Sequence, residues 1–280
     1  MRRSGGCEMD FDHEITAGLD QNLPKLSVRA AAAVRRRLEA DFAQAVADTK
    51  LKVAYQPRVC LSSGAIIAQE ALIRWQDRRH GLLLPSTILP LAERTRLSEI
   101  VGGWVLEEAC RDAARWSSIS VCVNVSGRQV RSGVILAQVA NALRQSGLAA
   151  ERLELAMNED TMLTGGIDTL LVLSGLRDLG VGLSLDDFGT GYGNLAALRR
   201  LPLTAILLDR SVIRDLPDQP DDAAIAHAII QTGHAIGITM VAEGIETQAQ
   251  LALLTGLGCD AGQGFLFGLP VREGGRAQAA

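Results

Sequence analysis

The sequence predicts an α/β fold, a (β/α)8 TIM-like barrel with the first strand antiparallel to the second, and three observations carry this. Eight β-type runs punctuate the chain. Helix-forming stretches fill the gaps between them from the second run onward, as parallel crossovers require. The first gap alone, CLSSG at 60–64, is too short for a crossover, which needs about ten or more residues. An open doubly wound sheet is the structural alternative.

The elements follow in order. Residues 1–27 are polar, glycine-containing and without helical periodicity, so a flexible leader is expected there. A flexible tail is expected at 273–280 and the barrel domain at 28–272. VRAAAAVRRRLEADFAQAVAD, rich in Ala, Arg, Leu and Glu, reads as a helix. The strand-like runs are LKVAYQP (51–57), AIIAQEALIRW (65–75), ISVCVNVS (119–126), RLELAM (152–157), VGLSLDD (181–187), TAILLD (204–209), GITMVAE (237–243) and a weaker GCDAGQG (258–264). Between them run helical stretches such as SEIVGGWVLEEACRDAARW, GVILAQVANALRQSG, IDTLLVLSGLRDLG, DAAIAHAIIQTGHAIG and TQAQLALLTGLG. Gly147, Gly180, Gly237 and Gly258 stand where these helices should stop.

Composition narrows the function. A chain of 280 residues can bury a substantial core. No stretch approaches the roughly 18 uninterrupted apolar residues of a membrane helix. The start has two arginines but no apolar segment behind them, so cytoplasmic localisation is the expectation. Cys7, Cys60, Cys110, Cys122 and Cys259 form no CxxC pair and leave an odd count, which argues against a disulfide framework and a zinc site. The net charge of −4 gives no electrostatic reason for a DNA or RNA partner, and Arg35 to Arg37 read as a solvated helix face.

In such a barrel the site forms at the carboxyl ends of the strands. Read in order, those ends carry Glu70, Asn124, Ala156, Asp186 with Asp187, Leu207 with Asp209, Glu243 and Gln263. A single acid at a strand end is more often solvated or capping a helix. Converging oxygens at nearly every strand end suit hard divalent cations. Two such ions about 3.5–4 Å apart are a common engine for phosphodiester hydrolysis. Asp186 and Asp187 are adjacent, so both can face one site only if the strand is ending, with Gly189 and Gly191 supplying a sharp turn.

EALIRW (70–75), together with YQP (55–57), VNVSGRQ (123–129), DDFGTGYGNL (186–195), RLPLTAILLDRS (200–211), VAEGIET (241–247) and GCDAGQGFLFGLP (258–270), resembles the EAL domain family of cyclic di-GMP phosphodiesterases. The likeness covers about residues 36 to 272. It implies a barrel that binds cyclic di-GMP and, with two Mg2+ or Mn2+ ions, hydrolyses it to linear pGpG. By that resemblance Glu70, Asn124, Asp186, Asp187 and Glu243 match metal positions, with Glu70, Asp187 and Glu243 the catalytic ones. Gln56, Leu72, Arg74, Asn124, Asp209 and Gln263 match ligand-binding positions. Glu159 resembles an acid that steadies the loop after the paired aspartates.

Two positions depart from the family pattern. Ala156 stands where a metal-binding glutamate is expected, and Leu207 where an essential lysine is expected. Losing such a lysine typically costs on the order of 10²–10⁴-fold in rate. Leu207 is further expected to make the mouth more apolar, and Glu154, two residues before Ala156, is a candidate replacement ligand. The expectation is therefore a non-catalytic domain that binds cyclic di-GMP, a protein partner or a second copy of itself, with weak or partial metal occupancy. The alternative is an active metal-dependent phosphodiesterase.

Overall fold

A computed structural model describes residues 28–164, 166–189 and 198–271. The expected leader, the tail and most of FGTGYGNL, Gly191 included, lie outside these residues. The described residues form nine strands, with helices between them from β3 onward: β1 Leu51–Cys60, β2 Ile66–Asp77, β3 Gly81–Leu83, β4 Ser120–Asn124, β5 Leu153–Asn158, β6 Gly182–Phe188, β7 Ala205–Leu208, β8 Thr239–Ala242 and β9 Ala261–Gln263. The described helices are α1 Val28–Ala47, α2 Pro85–Arg94, α3 Ser98–Ala113, α4 Gly127–Arg131, α5 Val134–Ser146, α6 Glu159–Thr164, α7 Gly166–Asp178, α8 Arg210–Ile213, α9 Pro220–Ala235 and α10 Gln248–Gly256.

Contacts divide the chain into two compact units, one of residues up to 52 with 73–101, the other of 53–72 with 102 onward. The first unit holds a hairpin that the sequence reading missed. There β2 pairs antiparallel with β3, Trp75 opposite Leu83 and Asp77 opposite Gly81. The Asp77 carboxylate accepts from the backbone of Arg79 and His80, each at 2.8 Å, which holds the turn. Phe42 of α1 packs on Trp75 with ring centroids 5.5 Å apart. A strand of three residues gives too little alternation to be seen in sequence.

The second unit carries the barrel. Strands follow one another as β1-β9-β8-β7-β6-β5-β4-β2, and β2 pairs with β1 to close the ring of eight. All ladders from β2/β4 round to β8/β9 are parallel, whereas β1 meets β9 antiparallel, Arg58 opposite Gln263. The reversed strand follows from the tight turn after it, where the Cys60 amide donates to the Ala65 carbonyl at 2.9 Å and Gly64 takes φ +71°. Closure rules out the open sheet. The parallel strands read as near-continuous apolar runs, AILL in β7 and TMVA in β8, because both their faces are covered. Helix α5 ends on Gly147 in the left-handed region, as expected, since a residue with a Cβ is strained there.

Candidate functional site at the carboxyl ends of the strands

Glu70 on β2 is the hub. Its Oε1 accepts from Asn124 Nδ2 on β4 at 2.7 Å, and its Oε2 accepts from Gln263 Nε2 on β9. Gln263 Nε2 also lies 3.2 Å from Gln56 Oε1 on β1, and Gln56 Nε2 donates to the Gly268 carbonyl at 3.1 Å. Side chains from β4 and β9 thus meet the carboxylate of β2, and β1 joins them through Gln263. Glu243 follows β8 directly, its amide donating to the Leu208 carbonyl at 3.0 Å.

The acids feel one another strongly. Burial, then Asp187, then Glu70 push the Asp186 carboxyl up to about 7. Burial, then Asp186 and Glu70 push Glu243 well above the carboxylate range. Asp187 is raised by burial and by Asp209. Desolvated like charges this close cannot all ionise, so the set holds protons near neutral pH unless a cation joins it.

The paired aspartates are placed by a bulge, not by the end of the strand. Strand β6 continues to Phe188, and its pairing with β7 steps from Leu185–Ile206 to Phe188–Leu208, three residues against two. The extra residue breaks the alternation that would send neighbours to opposite faces. Asp187 sits there at φ +56°, its amide bonded to Asp186 Oδ1 at 2.9 Å. Asp209 caps α8 by accepting from the Ser211 amide at 2.8 Å.

A cavity of about 240 Å³ opens beside these groups, lined by Gln56, Glu70, Leu72, Glu243, Gln263 and Phe265 and bordered by Arg210, Glu246, Gly244 and Gly264. Sites for drug-sized ligands usually measure about 300–1,000 Å³, so this space is small for one. Arg210 pairs with Glu246 at 2.9 Å. Arg74 belongs to the first unit, where its Nη1 donates to the Ile73 carbonyl at 2.9 Å. The SGRQ part of VNVSGRQ is a helix start: Ser126 and Gln129 form a capping box at α4.

The two departures from the family pattern are sealed inside the barrel. Ala156 is 1% exposed, paired in register with Asn124 and Ser184. Leu207 is 2% exposed and packs with Ala205, Val241 and Ala261. It does not line the cavity, which corrects the expectation of a more apolar mouth. Glu154 is committed elsewhere: its Oε1 lies 2.7 Å from Arg58 Nη1. Burial works against its charge, but Arg58 overcomes this and holds the carboxyl below its ordinary value. Arg58 was missed in the sequence, although it stands two residues after Gln56, on the same face of β1.

Glu70, Asn124, Asp186, Asp187 and Glu243 have the hard oxygens that Mg2+ prefers. They are not drawn together into a closed cage. Among the described residues no three Asp, Glu, His or Cys side chains gather as metal ligands, and both oxygens of Glu70 already accept amide hydrogens.

A profile for the EAL domain matches residues 39–270. The bifunctional diguanylate cyclase/cyclic di-GMP phosphodiesterase MucR of Pseudomonas aeruginosa is 41% identical over 88% of this chain and 36% of its own length. The cyclic di-GMP phosphodiesterase NbdA of the same organism is 41% identical over 84% of this chain and 31% of its own. The chain thus spans about a third of the length of these relatives. A solved structure of the PaMucR phosphodiesterase in complex with c-di-GMP superposes with a TM-score of 0.81 at 41% identity, over 85% of this chain and 98% of that one. Barrel topology, motif order and these likenesses agree, and the chain belongs to the EAL domain family.

Proposed function

We propose that this chain is a degenerate EAL domain of cyclic di-GMP signalling that binds the dinucleotide, or a partner protein, without hydrolysing it at a useful rate. One observation carries the reading. The positions expected to hold a metal-binding acid and an essential lysine are Ala156 and Leu207, both buried, with Leu207 in apolar packing. Glu154, the nearest acid along β5, is held by Arg58. Mg2+ or Mn2+ binds weakly or partially. Binding is supported by the polar groups that remain, Gln56, Asn124 and Gln263 around Glu70, by the cavity beside them, and by a relative solved with c-di-GMP. By the resemblance Arg74 matches a phosphate contact, a role suited to a guanidinium.

An active phosphodiesterase is the second reading. It is favoured by the retention of Glu70, Asn124, Asp186, Asp187 and Glu243 and by relatives named as phosphodiesterases. Calorimetry with cyclic di-GMP, with and without Mg2+ or Mn2+, is paired with a product assay for linear pGpG. Micromolar binding, about −8 kcal/mol, with negligible product is expected. Turnover near about one per second, ordinary for an enzyme, promotes the second reading. No heat at any metal concentration leaves a protein-interaction domain. No helix among the described residues is long and apolar enough to cross a membrane.

A further inference from the structure

Glu70, Glu243 and Glu246 border the cavity at the strand ends, and among the described residues around it Arg210 is the one basic side chain. Three constraints place Arg210, although its side chain is 55% exposed. Its stem lies across the bare backbone of Gly244, where an added Cβ would stand 2.7 Å from Arg210 Cγ. Its Nη2 meets Glu246 Oε1 at 2.9 Å. The elements that carry this pair are tied together by Gln250, which is 5% exposed. Gln250 Oε1 accepts from the Glu246 and Thr247 amides at 2.9 and 3.0 Å, and its Nε2 donates to the Ile213 and Arg214 carbonyls, each at 3.2 Å. These bonds lock the start of α10 to the end of α8 and fix Glu246 opposite Arg210. An exposed ion pair adds little stability. Gln250 makes the join, and the pair orients the guanidinium.

We propose that Arg210 is a phosphate-anchoring residue of this cavity, holding one phosphodiester of a cyclic dinucleotide at the rim while Glu246 keeps it oriented. A phosphodiester that enters beside Glu70 and Glu243 meets like charge, and a cation at the rim offsets that repulsion. A guanidinium presents five N–H donors in a fixed fork, and Glu246 engages one nitrogen. The fork matches two phosphate oxygens with parallel, charge-assisted hydrogen bonds. Leu207 on β7 is buried in apolar packing and offers no charge. The cation that leaves this strand is Arg210, three residues further on. An arm oriented in advance loses less side-chain freedom when the ligand arrives. The assignment deepens the proposed function and rests on its reading of this cavity as the cyclic di-GMP site.

The test separates phosphate recognition from base recognition, by calorimetry without metal ion. Wild type, Arg210→Gln, Arg210→Lys and Glu246→Gln are titrated with cyclic di-GMP, guanosine 5′-monophosphate and guanosine. Arg210 is half exposed, so these variants should melt as wild type does. Arg210→Gln should weaken cyclic di-GMP and the monophosphate about tenfold and leave guanosine, which has no phosphate, unchanged. Arg210→Lys keeps the charge without the fork and should fall between. Glu246→Gln keeps an oxygen that accepts from the guanidinium but removes a negative charge, so both phosphate ligands should bind about threefold more tightly. Equal loss for all three ligands in Arg210→Gln, or no loss for the two phosphates, overturns the assignment. If wild type gives no heat with cyclic di-GMP, the proposed function fails, and inorganic phosphate alone then judges the arginine. Its phosphorus resonance should broaden with wild type and stay sharp with Arg210→Gln, and equal line widths overturn the assignment.

Discussion

At position 156 a methyl group stands between Asn124 and Ser184 in the strand register, and at 207 an isobutyl group packs on Val241, Ala205 and Ala261. Restoring one expected group alone should fail. Leu207→Lys places an ammonium in apolar packing at a cost of about 2–4 kcal/mol, read as a lower unfolding midpoint. Adding Ala156→Glu supplies a partner on β5, one strand beyond β6. Part of that stability should then return, and pGpG production should appear only in the double variant. If Leu207→Lys alone gains both stability and turnover, the reading of these two sites is wrong. Both residues were visible in the sequence because each is an absence at a strand end. That Leu207 is roofed over was not visible, since its exposure depends on β8 and β9 packing against β7.

Among the elements, two irregular backbones aim the chemistry. Asp187 occupies the left-handed region inside the β6 bulge. Asp187→Gly should relieve that strain and one repulsive charge, leaving stability equal or higher by up to about 1 kcal/mol while removing a donor from the site. Denaturant unfolding reads the first effect and Mn2+ titration the second. Gly264, at φ +159°, follows the hub partner Gln263, and a Cβ there would strike the backbone oxygen and nitrogen of Ile245. That contact is backbone on backbone, fixed by the Ile245 amide bonding to the Gln263 carbonyl at 3.0 Å. Gly264→Ala should destabilise by several kcal/mol, more than about 3, and abolish nucleotide binding through Gln263. A near-normal melt would show that the loop can yield. Glycines at helix ends were legible from pattern. The bulge was not, because a run such as SLDDF looks regular until its partner strand is known.

Taken as a whole, the barrel concentrates acids at one end, and this sets a pH dependence. Asp186 and Glu243 have folded pKa values above their unfolded ones. Between the unfolded value of about 4 and the folded value of about 7 for Asp186, the folded state binds the extra proton, so stability is lost as pH rises through that window. Glu243 extends the loss to higher pH. A tenfold difference in proton affinity between the folded and unfolded chain is worth about 1.4 kcal/mol. The metal-free protein should therefore weaken by a few kcal/mol from about pH 5 to 8, and Asp186→Asn should flatten the slope. Excess Mn2+ should flatten it as well. A metal-free melt that rises steadily over this range contradicts the clustering.

The barrel class and its reversed first strand came from the sequence by itself, and the three-residue β3 did not. Apolar period, connection length and helix-stopping glycine are local properties, and a five-residue link leaves the chain no other way to join two strands. Tertiary structure alone decided which of the strand-end donors share a field. It joined Arg58 to Glu154 across 96 positions of chain and brought Gln263 to Glu70 across 193. It also placed Leu207 in the core instead of the mouth. These outcomes depend on the register with which distant strands meet around a closed ring, and a shift of one residue would send each side chain to the other face of its sheet.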